Sequence, residues 1–146
     1  MSLHQTSTEL SYQELLCFRL NAIARRIARA HNKACAEAGI TGGQSFVLFD
    51  LLDHEGDNIT EIANRLQLDS PAVGGYIDRL IKLDLVVRVE DPNDRRLYRI
   101  HFTNKGRQLA KNLMPKARAV HDNICALMGD NVNIFGDGLS KLEEGL

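Results

Sequence analysis

Residues 86–103, VVRVEDPNDRRLYRIHFT, restrict the possible folds more than any other stretch of this chain. Two apolar, largely β-branched runs flank the hydrophilic hexad Asp91-Pro-Asn-Asp-Arg-Arg96. Strand-like runs on either side of a turn-rich segment predict a β-hairpin with a charged tip. Asp91 and Pro92 suit the turn itself. Two adjacent arginines at an exposed tip do not follow from turn geometry. A guanidinium there fits a narrow, negative groove better than a catalytic pocket. Asp94 stands two residues before Arg96, so on a strand both side chains point to one face, and the carboxylate can hold the guanidinium in a fixed pose.

The hairpin follows a pair of short helices, ITEIANRLQLDSPAVGGYID at residues 59–78. The first begins near Asn58 and carries Ile59, Ile62, Ala63 and Leu66 on one face. Gln67-Leu68-Asp69 is the turn. Asp69 or Ser70 caps the second, and Pro71 sits in its first turn, where its missing N–H costs little. Val73, Ile77 and Leu80 face inward. Ala63 is small where the helices must cross, and Val73 plugs their junction. A plain αα-hairpin shares these features. With a hairpin after it, the pattern reads as a winged helix-turn-helix. Such a recognition helix presents its N-terminal half to base edges, here Ser70, Pro71, Ala72, Gly74, Gly75 and Tyr76. Arg79, one turn on, is in reach of a phosphate.

Longer amphipathic segments enclose this module. Residues 10–38 predict one long helix with a seam of Leu16, Leu20, Ile23, Ile27, Ala30 and Ala34, with Arg25, Arg26 and Arg29 mostly off it and Gly39 as its stop. Thr41-Gly-Gly-Gln44 is a capping box. It opens a helix that turns Val47, Leu48, Leu51 and Leu52 inward and closes at His54-Glu-Gly56. After the hairpin, Thr103 or Asn104 caps a helix striped with Leu109, Leu113, Ala117, Val120, Ile124 and Leu127, and Pro115 is expected to kink it. Gly129-Asp130-Asn131 breaks the chain before a last helix bearing Phe135, Leu139, Leu142 and Leu146. The expected class is mainly α with a small β-hairpin wing, in the order α-α-α-α-β-β-α-α. The end helices carry more apolar stripe than the central module can cover. Residues 1–38 and 104–146 are therefore expected to form a dimerisation region around a DNA-binding region at 39–103, all one interwoven domain.

Net charge is −1, which argues against a chain that coats nucleic acid indiscriminately. Between Leu85 and Arg107, however, Arg88, Arg95, Arg96, Arg99, Lys105 and Arg107 face only Glu90, Asp91 and Asp94. A basic hairpin on a neutral protein suits a specific binder whose phosphate contacts lie on one surface. No run of about 18 apolar residues exists, so no membrane span is expected. The opening MSLHQTSTELSYQELL lacks the basic and apolar regions of a signal peptide, which makes the cytoplasm the expected location.

Cys17, Cys35 and Cys125 are widely spaced with no CxxC, and His4, His31, His54, His101 and His121 form no HxxxH or HExxH pair. No metal site is expected. Gly42-Gly43 lacks the lysine and spacing of a phosphate loop, and no catalytic dyad stands out. The chain is read as a non-enzyme without cofactor.

Taken together, Thr41–Gln44, ITEIANRL, I-D-R-L-x-x-L-x-L-V (Ile77 to Val86), the D-x-x-D-R-R wing and F-T-N-K-G (Phe102 to Gly106) resemble the MarR-type winged-helix transcriptional regulators. The resemblance covers roughly residues 12–128. It implies a homodimer joined by its N- and C-terminal helices. It also implies binding to a pseudo-palindromic operator in double-stranded DNA, usually as a repressor. By position, the recognition helix enters the major groove and Arg96, braced by Asp94, the minor groove. Arg95 becomes a phosphate contact, with Arg79 and Arg88 helping to set register. A small phenolic or aromatic acid, or an oxidant, is the implied effector. The family often carries Thr-Arg where Gly74-Gly75 stands here. Cys17, in L-L-C-F-R-L, resembles the thiol of the organic-peroxide-sensing branch, with Cys125 of the other subunit as a resolving partner. That branch surrounds its cysteine with tyrosines, whereas this chain has His31 and Gly42. Without redox chemistry, Cys17 and Cys125 are expected to be small buried apolar residues, and Cys35 a packing residue. The competing functional class is a winged helix that docks on protein and touches no DNA.

Overall fold

The computed structural model describes residues 10–146. Much of the N-terminal stretch read for a leader, together with His4, lies outside the described residues. Helices α1 (Leu16–Cys35), α2 (Gly42–His54), α3 (Ile59–Leu66) and α4 (Ser70–Lys82) precede strands β1 (Val86–Glu90) and β2 (Tyr98–Phe102). Helices α5 (Asn104–Met128) and α6 (Val132–Gly145) follow, in the expected order.

Local chemistry accounts for most boundaries. Thr41 and Asn58 each complete a capping box, with Gln44 and Glu61. Asp69 caps α4 through the Ala72 N–H at 2.7 Å, and Thr103 caps α5 through the Gly106 N–H at 2.9 Å. Gln67 takes a left-handed conformation, φ 55°, to end α3. The first helix departs from expectation. A separate 3-10 turn, Tyr12–Glu14, is capped by Ser11, and Leu15 is extended, so α1 begins at Leu16. It ends at Cys35, where a second 3-10 turn, Ala36–Ala38, leads to Gly39 in the left-handed region. The reciprocal Ser11 and Glu14 bonds favour a closed local turn over continuation of the apolar seam.

One core joins α1 through α5 and the hairpin. Leu48, Leu51, Ile62, Val73, Ile77, Leu80, Leu85 and Ile100 are fully buried, and Cys35 of α1 with Ala110 and Leu113 of α5 belong to the same cluster. Cys35 is thus a packing residue, as read. The strands pair antiparallel, Val86 with Phe102 through Glu90 with Tyr98. The α2–α3 link forms an isolated bridge to β2: the Gly56 N–H donates to Ile100 O at 2.9 Å and the Ile100 N–H to Asp57 O at 3.0 Å. By contrast, α6 buries none of its residues, and the seam residues Leu16, Ile23 and Ile27 stay exposed in the single chain. No described helix is long and apolar enough to cross a membrane.

Gly106 in the F-T-N-K-G segment has a steric role. A Cβ there would stand 1.8 Å from Leu85 O, so α5 packs backbone to backbone on the entry to β1. Gly106→Ala is expected to lower stability by about 3 kcal/mol or more, read as a shifted urea midpoint. Gly74→Ala, where the same atom meets open space, serves as the control.

Candidate nucleic-acid interface

The α4 face opposite Val73, Ile77 and Leu80 is open. Ser70, Pro71 and Gly75 are exposed, Ala72 and Gly74 partly so, and a Cβ on either glycine would meet nothing within 4 Å. The two glycines leave a low, smooth ridge with accessible backbone. Tyr76 is placed differently. It is half-buried against α2, and a Cβ on Gly43 would lie 3.0 Å from its hydroxyl. Arg79 is exposed, with Nη2 donating to Gly39 O at 3.4 Å. Arg88 is tied across to α4 through Asp78 at 2.8 Å, so it fastens β1 to the recognition helix.

The wing tip is an ordered turn. The Asp91 N–H donates to Leu97 O at 2.9 Å and the Leu97 N–H to Asp94 O at 3.0 Å. Arg96 is 89% exposed, yet Asp94 grips it twice, Nε to Oδ1 at 3.1 Å and Nη2 to Oδ2 at 3.2 Å. The Arg96 N–H adds a third bond to Oδ1. The expected brace is present, but residues 91–97 belong to no strand. The turn, rather than strand alternation, brings the two side chains together. Hydrogen bonds from the Arg96 side chain and backbone hold the Asp94 carboxyl below its ordinary range, so it stays ionised at neutral pH. Arg95 is exposed beside it.

Wing and helices converge on a cleft of about 390 Å³ lined by Asn58, Thr60, Ser70, Pro71, Arg96 and Tyr98, among others. The first turns of α3 and α4 thus share one surface with the tip arginine. Thr60 was not singled out from the sequence, and Tyr98, expected to be a core or interface residue, is exposed in the cleft lining. The Asn58–Glu61 capping box was the available signal for α3, since it fixes Thr60 in the first turn of the helix.

A second apolar cleft, about 340 Å³, lies between α2 and α5, lined by Phe46, Phe49, Met114, Ala117, Arg118 and His121. Behind it His31 is buried, its ring stacked on Phe46 at 4.9 Å. Ser45 Oγ donates to Gly42 O at 2.7 Å, so it accepts from His31 Nε2 at 2.8 Å. Burial pushes the His31 pKa below its ordinary value, which keeps the ring neutral. A Cβ on Gly42 would stand 2.4 Å from the His31 ring, so glycine at 42 makes room for histidine at 31. Cys17 is exposed on the first turn of α1 and Cys125 half-buried, its Sγ 3.4 Å from His121 Nε2, and both thiols are free. Among the described residues, no three His, Cys, Asp or Glu side chains gather as a metal site.

The glycine pair yields a direct test. Gly74→Ala and Gly75→Ala should each stabilise the fold by about 0.5–1 kcal/mol, because alanine loses less backbone entropy in a helix. If bound duplex rests on this ridge, Gly75→Ala should nonetheless weaken binding, as read by anisotropy of labelled DNA beside thermal melts.

Comparison with known proteins gives a consistent picture. The MarR family model matches residues 38–97. The chain is 36% identical over 99 residues to the HTH-type transcriptional regulator TtmR of Methylorubrum extorquens, covering 68% of this chain and 51% of that one. The chain therefore spans about half the length of that relative. It is 31% identical over 126 residues to the uncharacterized HTH-type transcriptional regulator YsmB of Bacillus subtilis, covering 85% and 86%. Among solved structures, the transcriptional repressor CouR bound to a 23-mer DNA duplex is 29% identical with a TM-score of 0.81, covering 93% of this chain and 99% of that one. The MepR–DNA complex of S. aureus, at 20% identity and a TM-score of 0.83 over 94% and 100%, shares the fold.

Proposed function

Since the chain belongs to the MarR family and is a transcription regulator rather than an enzyme, we propose that it is a homodimeric repressor that binds a pseudo-palindromic DNA site and is released by a small aromatic ligand. The observation that carries the DNA reading is the exposed Arg96, held by Asp94 on the same surface as the first turns of α3 and α4. A cation fixed in advance loses little side-chain entropy on entering a minor groove, where the potential is most negative. The α4 ridge enters the adjacent major groove, and phosphates meet Arg95, Arg79 and Thr60. The protein acts in the cytoplasm.

Dimerisation is supported by the apolar surface that one chain leaves uncovered. Leu127 is 89% exposed, and Ile134, Phe135 and Leu139 of α6 are exposed with Leu16, Ile23 and Ile27 of α1. A second copy that covers these stripes places two recognition helices on half-sites one duplex turn apart.

Arg96→Ala is expected to weaken binding to the inverted repeat upstream of the gene by about tenfold to a hundredfold with an unchanged melting curve. Wild-type affinity should fall steeply and linearly in log–log form with salt. A flat salt response points instead to a protein-docking winged helix.

The effector reading rests on the α2–α5 cleft, where aromatic walls formed by Phe46 and Phe49 stand beside the Arg118 guanidinium. A ring stacks on the former while its carboxylate meets the latter. Such a ligand shifts the balance between DNA-fitting and DNA-releasing conformers by its differential affinity for the two. Addition of 4-hydroxybenzoate should lower DNA affinity by about fivefold or more, and Arg118→Ala should abolish that response while leaving ligand-free DNA binding intact.

A further inference from the structure

We propose that Arg99, on β2 at the root of the wing tip, is the positioning residue that sets the angle at which Arg96 is presented to DNA. The inference rests on the DNA reading above. Arg99 lies on β2, opposite Val89, and forms an isolated bridge with Asn58 on its other side. Its guanidinium joins two separate parts of the chain. Nε donates to Asp91 Oδ2 at 2.7 Å, and Nη1 donates to Gly56 O, in the α2–α3 link, at 3.1 Å.

Asp91 is the reason this matters at the tip. It is only 8% exposed, little for a charged residue in a surface loop. While Oδ2 meets Arg99, Oδ1 accepts the N–H groups of Asn93 at 2.8 Å and Asp94 at 3.3 Å. Asp94 in turn clamps Arg96. A continuous series of hydrogen bonds therefore runs from the helical body, Gly56, through Arg99, Asp91 and Asp94 to the guanidinium that probes the groove. Each tip residue otherwise hangs on a two-stranded hairpin, which is marginal without support. Charge-assisted bonds of this kind are short and directional, so they fix an angle as well as a distance. Arg99 thus acts through Arg96 and touches no DNA.

The test is a double-mutant cycle on binding to the tightest duplex that the wild-type protein selects from a random pool. Arg99→Met keeps the aliphatic stem and removes the guanidinium. Asp91→Asn keeps the turn acceptor Oδ1 and removes the charge facing Arg99. Either should weaken binding by about fivefold or more in the wild-type background and have little further effect in Arg96→Ala, because the residues act in series. Arg99→Lys, which reaches only one of the two partners, should restore part of the loss. Equal losses in both backgrounds, with or without a fall in melting temperature, would overturn the proposal, since Arg99 then acts on DNA or on the fold independently of Arg96. Undiminished binding by Arg99→Met also overturns it and leaves the wing reading intact. If Arg96→Ala itself binds as tightly as wild type, the wing reading fails together with the proposal.

Discussion

The short backbone pairing between the α2–α3 link and β2 determines where everything else on the binding surface stands. Gly56 and Asp57 exchange hydrogen bonds with Ile100, which ties the two-stranded hairpin to the α2–α3 link. Each such bond contributes only about 1 kcal/mol net, but together they remove the hinge at the root of the wing. Glu55 reinforces the joint from the other side, accepting the Phe102 N–H at 3.0 Å and a side-chain bond from Arg107, whose guanidinium also stacks on Phe102. Burial raises the Glu55 carboxyl pKa, and the Arg107 and Phe102 hydrogen bonds with nearby His101 outweigh that effect, so it titrates below its ordinary range. The Glu55 carboxyl is therefore ionised at neutral pH. Its contribution is present above the ordinary carboxylate pKa and is lost as pH falls through the lowered folded-state value.

Within the net charge of −1, several arginines are paired with carboxylates around the wing and its root. Asp50 and Asp57 share Arg65, which raises the Arg65 pKa further above its already high value, chiefly through the hydrogen bond to Asp50. Asp78 holds Arg88, Glu55 holds Arg107, and Asp91 holds Arg99. Surface pairs like these add little stability. Their effect is spatial, since they tie cations that fasten elements together to carboxylates. Arg95 is left exposed at the tip, and Arg96 is gripped from one side only, with most of its surface facing out.

Two glycines in the recognition helix and two in α2 answer different demands. Gly74 and Gly75 face open space, so they relieve no clash inside the chain and their cost in helix stability has no internal offset. Gly42 and Gly43 accommodate neighbours, the His31 ring and Tyr76 respectively. The second pair is explained by packing, and the first by no contact within the chain. Of the three cysteines, Cys35 belongs to the core, Cys17 is exposed and Cys125 is half-buried.

Element order, caps, the hairpin and the Asp94–Arg96 brace were legible in the residues alone, because each depends on neighbours within a few positions along the chain. The capping box at Thr41, the turn at Gln67-Leu68-Asp69 and the two β-branched runs around the wing tip are local signals of that kind. The first helix, expected over residues 10–38, spans only Leu16–Cys35, because the Ser11–Glu14 turn closes the segment before the seam begins and a 3-10 turn follows it. Only the tertiary structure decided the roles of Arg99, Tyr76 and Gly106. Gly56 is 43 positions from Arg99, Gly43 lies on a different helix from Tyr76, and Gly106 packs against the Leu85 backbone. No periodicity or motif encodes such meetings. They exist because a shared core brings distant segments within hydrogen-bonding and van der Waals reach, and that core decides which arginines brace the wing and which one it presents.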